Sequence, residues 1–195
     1  MYYELIILGR LMYSPYHGYL IMHVISEMIG PWQKVSAGTL YPLLARLERD
    51  GLIQAQIVAD HASLNRRTAR TYAITDAGRA RFSELMLDIV SSIGEYQRLF
   101  RLKVPHLEFL TSDEQMQLLE HYHDYCRTAI RHQERITREL EGRLEEKMLQ
   151  PPVGAKPVTP AGITNSLATT RHMTAQWYAE LAWVEQLLND VVERR

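Results

Sequence analysis

The stretch from Ser36 to Ile53 constrains this chain more than any other. Leu40, Leu43, Leu44 and Leu47 fall at i, i+3, i+4 and i+7, so one face of a helix there must be buried. At about 100° per residue the opposite face carries Gly38, Pro42, Ala45 and Arg49. Thr39 and Arg46 flank that face on one side and Tyr41 on the other. Small residues, hydrogen-bonding residues and arginines suit a helix that lies against a groove of DNA. Gly51 supplies a left-handed stop, and Leu52-Ile53 opens an alternating run suited to a strand. Taken alone, the leucine stripe is equally well explained by an ordinary core helix. Its start is open as well. With Ser36 as N-cap, Pro42 lies past the first turn and costs a backbone hydrogen bond; with Thr39 as N-cap, Pro42 falls where proline is tolerated.

The neighbouring segments decide between these readings. Tyr2 to Met12 places Leu5, Leu8, Gly9 and Met12 on one helical face, and Ser14-Pro15 ends it. A second helix runs from His17-Gly18-Tyr19 to about Met28, burying Ile21, Met22 and Ile25, until Gly30-Pro31 breaks it. Trp32 sits in the turn that follows. After the leucine-striped helix, residues 53–58 and 70–74 alternate as two strands around a tip, 59–69, that contains Asn65-Arg66-Arg67-Thr68. A solvated charged loop is the plain account of such a tip. Behind a helix pair and a third amphipathic helix, however, the order is that of a winged helix-turn-helix, whose wing reaches phosphate or a minor groove.

The run Ser36-x-Gly38-Thr39-Leu40-Tyr41-Pro42-x-Leu44-x-x-Leu47-Glu48-x-x-Gly51-Leu52-Ile53 is preceded by His17-Gly18-Tyr19 and followed by Tyr72-x-Ile74-Thr75-x-x-Gly78. It closely resembles the PadR family of bacterial transcriptional regulators over about the first 80 residues. Phe100-Arg101-Leu102-Lys103 and the aromatic-rich last helix resemble, more weakly, the long helical C-terminal domain of some PadR-like proteins. The resemblance implies DNA binding and response to small aromatic or lipophilic compounds. One departure is that no glycine lies between Gly51 and Gly78, where the family's wing commonly has one.

Net charge is −1, which on its face argues against a nucleic-acid partner, but the distribution matters more than the sum. Residues 1–80 hold eight Lys/Arg against six Asp/Glu, and 81–195 hold fourteen against seventeen. Between residues 34 and 70 the excess sharpens: Lys34, Arg46, Arg49, Arg66, Arg67 and Arg70 face Glu48, Asp50 and Asp60. The expected DNA-binding residues are therefore Lys34, Ser36, Thr39, Tyr41, Pro42, Arg46, Arg49, Arg66, Arg67 and Arg70. No apolar run is long enough for a membrane span, the start lacks the pattern of a signal peptide, and Cys126 is the one cysteine, all of which point to the cytoplasm. His121, His123, Asp124 and Cys126 tempt a metal reading, but His121 and His123 diverge on a helix and the remaining pair does not make a zinc site. The nucleotide-binding and hydrolase motifs are missing, so neither an enzyme nor a cofactor is expected.

For the rest of the chain, Thr75-Asp76 caps a long helix whose stripe of Leu85, Met86, Ile89, Val90 and Ile93 continues to Val104-Pro105. Ser112-Asp113-Glu114-Gln115 is a capping box opening a helix to about Met148, and Gln150 to Gly162, with four prolines, is a loop. In the last helix Leu167, Thr170, Thr174, Trp177, Leu181, Val184, Leu188 and Val191 follow steps of three and four, and a dimer seam carried by Leu167, Trp177, Leu181, Val184, Leu188 and Val191 is preferred over an intramolecular one. The expected fold is mainly α: a winged helix-turn-helix with a two-stranded wing over 1–80, then a helical dimerisation and effector domain over 81–195. The expected function is a homodimeric DNA-binding regulator, a repressor of a pseudo-palindromic operator, released by a small aromatic effector that three tryptophans and eleven tyrosines could line a pocket for. The rival from another class is a helical adaptor that binds protein and leaves its arginines solvated.

Overall fold

The computed structural model of the chain describes residues 2–30, 35–58, 69–91, 93–145 and 159–194. It divides into two compact units, Met1–Thr111 and Ser112–Arg195. Residues 81–111, assigned from the sequence to the second domain, thus belong to the first unit.

In the first unit, helix α1 (Tyr2–Tyr13) is the core element: it packs against α2 (Gly18–Ile29), α4 (Asp76–Leu87), α5 (Tyr96–Lys103) and strand β3 (Ala69–Ile74). Contact on several sides explains why Leu5, Ile6, Ile7, Leu8, Gly9 and Leu11 are all buried, where the sequence pattern marked a single stripe. Gly9 is required by a close approach, because a Cβ there would lie 2.5 Å from Nε2 of His106. The His106 ring is buried beside Tyr13, Phe82 and Phe109, neither of its nitrogens has a hydrogen-bond partner, and burial holds its pKa below the usual 6.5.

Helix α3 (Ala37–Arg49) follows, and then strand β2 (Ile53–Val58) pairs antiparallel with β3, Ile53 opposite Ile74 and Ala55 opposite Tyr72. A third strand, β1 (Tyr16–His17), adds to the other edge of β3, giving the order β1-β3-β2. Two residues carry too little periodicity to be read as a strand, so the expected two-stranded wing is one part of a three-stranded sheet. Thr71 Oγ1 and His17 Nδ1, 3.0 Å apart, join the two strands by their side chains as well.

The expected long helix from Asp76 to Lys103 is interrupted. Helix α4 ends at Leu87, and the Asp88 carboxylate accepts the amides of Val90 and Ser91, bonds that favour a turn over helix and hold its pKa below the usual range. A short 3-10 turn (Ile93–Glu95) leads into α5. Buried Lys103 reaches back and donates to the Asp88 carbonyl at 2.6 Å, which lies just past the end of α4. The second unit is a helical hairpin of α6 (Ser112–Glu145) and α7 (Pro160–Glu193). Among the described residues no helix is long and apolar enough to cross a membrane.

Candidate nucleic-acid interface

Helix α3 settles the question of its own start. Ser36 is the N-cap, extended at φ −87° and ψ 159°, and its carbonyl accepts the amides of Thr39 and Leu40, both at 3.0 Å. Its hydroxyl meets the Thr39 hydroxyl at 3.1 Å. Pro42 therefore lies inside the helix and removes the N–H that would have reached the Gly38 carbonyl. Leu40, Leu44 and Leu47 are buried and Leu43 is half-buried, while Ser36, Gly38, Thr39, Tyr41, Pro42, Ala45, Arg46 and Arg49 are all exposed. The face opposite the leucines is open to solvent along its whole length.

The two flanks of α3 are tied to neighbouring elements by charge. On one, Arg46 Nη2 lies 3.5 Å from Glu4 of α1. On the other, Glu48 lies 4.0 Å from Arg70 of β3. Arg49 stands between them with its side chain 76% exposed, its nearest carboxylate being Asp50 at 3.9 Å. The contacts are long, 3.5 to 4.0 Å, and the arginine side chains are each about half or more exposed, so the guanidinium groups remain open to a stronger anion.

Tyr41 has two roles. The residue is 45% exposed, yet with the Tyr72 ring its own ring closes over Gly18, where an added Cβ would meet both at 3.3 Å. Gly18 opens α2, so this three-way contact sets the approach of α2, α3 and the sheet. Sequence reasoning marked Tyr41 as a DNA contact and missed this packing, because Gly18, Tyr41 and Tyr72 are far apart in the chain. It missed Glu4 as well: an acidic residue at the head of an apolar helix gives no sign that it will face Arg46. The turn after α3 is held by Gly51 at φ +73°, by Thr75 Oγ1 donating to the Gly51 carbonyl at 2.6 Å, and by the Thr75 amide on the Leu52 carbonyl. Lys34, Arg66 and Arg67, like Trp32, lie outside the described residues.

In the second unit Leu167, Val184 and Val191, with Thr170, are already buried in the single chain, and Trp177, Leu181 and Leu188 are half-buried. Thr137 donates to Thr170 at 3.1 Å, Tyr122 to Glu180 at 2.6 Å, and Tyr125 meets Trp177 edge-on at 5.6 Å. The three-four stripe therefore serves, in large part, the hairpin itself. Cys126 is buried, which pushes its thiol up to about 12, and His123 lies 3.5 Å from Glu185. A neutral buried thiol is a poor metal ligand.

A helix pair whose third helix shows an open, arginine-bearing face, followed by a β-hairpin, defines the N-terminal unit as a winged helix-turn-helix. Residues 7–84 match the model of the Transcriptional regulator PadR-like family. A curated relative, Transcriptional regulator Rv3488 of Mycobacterium tuberculosis, is 47% identical over 51 residues, which cover 26% of this chain and 44% of that protein. The match thus spans less than half the length of the relative. Family and relative are named as regulators, not as enzymes. Among solved structures, Bacillus subtilis PadR in complex with operator DNA is similar at 18% identity, covering 96% of this chain and 98% of that one, with a TM-score of 0.38. The protein smu.1604c from Streptococcus mutans UA159 is 24% identical over 95% of this chain and 98% of that one, also at 0.38. The likeness to the PadR-like family is carried by the match of residues 7–84.

Proposed function

We propose that the chain is a DNA-binding transcriptional regulator, a repressor that binds a pseudo-palindromic operator as a homodimer. The observation that carries this reading is the outward face of α3, where Thr39, Pro42, Arg46 and Arg49 are exposed opposite a buried leucine stripe. In this reading α3 enters the major groove, Arg70 and the wing residues Arg66 and Arg67 meet the backbone, and Lys34 and Ser36 contact phosphate at the amino end of the helix. A two-fold pair would present two such helices to half-sites about one turn of DNA apart. Of the α7 stripe, the half-buried residues Trp177, Leu181 and Leu188 keep surface that a second copy could cover. A small aromatic effector, bound among the rings of the helical unit, would release DNA by changing the separation of the recognition helices.

The test is binding to a duplex from upstream of the chain's own coding sequence, followed by fluorescence anisotropy across a salt series. The reading expects a saturable complex whose affinity falls steeply with salt; a helical adaptor gives none. Arg46→Ala weakens the specific complex. Tyr41→Phe, which keeps the ring over Gly18, separates loss of a hydroxyl contact from loss of packing. Sedimentation equilibrium showing one chain at micromolar concentration would remove the dimer, and titration of aromatic acids into the complex without release would remove phenolic sensing.

A further inference from the structure

Glu4 stands at the first turn of α1 with its side chain 11% exposed, between two arginines from different elements. One carboxylate oxygen accepts Arg81 Nε of α4 at 2.8 Å; the other lies 3.5 Å from Arg46 Nη2 of α3. Arg81 is held a second time by Glu84 at 3.0 Å. The four-residue cluster is lopsided: Arg81 has the short, charge-assisted bonds, and Arg46 has a contact at the limit of hydrogen-bond range.

We infer that Glu4 is an exchangeable counter-ion for Arg46, keeping that guanidinium on the protein until a DNA phosphate takes it. The inference rests on the DNA-binding reading above. Arg46 is half exposed and its contact with Glu4 is long, at 3.5 Å, so the guanidinium is readily given up to a phosphate. Once Arg46 leaves, the nearly buried Glu4 carboxylate keeps its 2.8 Å bond to Arg81, and the excess negative charge falls on Glu84, the other partner of Arg81, which is 65% exposed and solvated. Arg81 thereby sets how tightly Glu4 holds Arg46, although it is not itself on the recognition helix.

This arrangement gives two single substitutions opposite signs, which a merely structural cluster would not do. Glu4→Gln frees Arg46 and tightens binding to the upstream duplex by about two- to fivefold at low salt. Arg81→Gln leaves Glu4 with Arg46 as its remaining cationic partner in the cluster and weakens binding by a similar factor. Both effects vanish in an Arg46→Ala background, whose salt slope is itself shallower by about one. Thermal melts establish that each variant is folded; if Glu4→Gln is not, Glu4→Asp, whose shorter reach gives up the longer contact first, takes its place with the same expected sign. Weakening by both Glu4→Gln and Arg81→Gln, or either effect persisting without Arg46, overturns the inference while leaving a DNA-binding protein. No complex with the unaltered chain overturns the DNA-binding reading, and with it this one.

Discussion

Gly78 shows how strictly a single residue can be set by its surroundings. A Cβ there would lie 2.0 Å from the Leu52 carbonyl oxygen, because the first turn of α4 is pressed onto the turn that ends α3. In the sequence Gly78 is one position of a motif; the structure requires a glycine there. Gly78→Ala is expected to lower unfolding stability by about 1–3 kcal/mol in urea titrations, as overpacked sites do. Lys103 makes a different demand. Its ammonium is buried, and burial lowers its pKa from the usual 10.5 to about 8. Between those values the unfolded chain binds the extra proton, so stability rises as pH climbs from about 8 to 10.5. The difference in stability between the unaltered chain and Lys103→Met should carry that rise, measured by denaturation at a series of pH values. His106 acts at the other end of the scale. With its folded pKa held below 6.5, it contributes a loss of stability as pH falls below that value. His106→Phe is expected to remove this part of the acid sensitivity.

Helix α3 combines a strong element with a weak point. Its stripe is anchored by Leu44, fully buried, and Leu44→Ala should cost about 2–5 kcal/mol. Pro42 sits on the solvent face past the first turn, where proline disfavours helix. Pro42→Ala is expected to raise stability by about 1–2 kcal/mol, the helix-interior penalty being offset in part by the greater freedom of the unfolded chain. A fall in stability would show that the proline ring is needed where it stands. A stabilising change on the face assigned to DNA would fit a position kept for contact rather than for folding. The break between α4 and α5 was not legible in the sequence, because Leu85, Met86 and Ile89 keep an unbroken period while the opposing signal, one aspartate that can bond two amides, is common in helices that continue.

At the scale of the whole chain, function is proposed for two units that are distinct as compact bodies, one bearing the winged helix and one a helical hairpin. Replacing Arg66 and Arg67 together by alanine should weaken binding to all DNA sequences alike and flatten its salt dependence by about two. An unchanged slope would exclude the wing as a phosphate contact. What the sequence determined by itself is everything governed by local pattern: the buried leucines of α3, its open face, the Gly51 stop, the wing strands and the capped start of α4. Periodicity and turn chemistry act between residues a few positions apart, so they can be read along the chain. Tertiary structure alone decided the strand at Tyr16–His17, the Gly9–His106 and Gly18–Tyr41–Tyr72 approaches, the Glu4 link to Arg46 and the use of the α7 stripe inside its own hairpin. Each of these depends on which distant surfaces meet. A hydrophobic stripe states that it must be covered, and only packing determines what covers it.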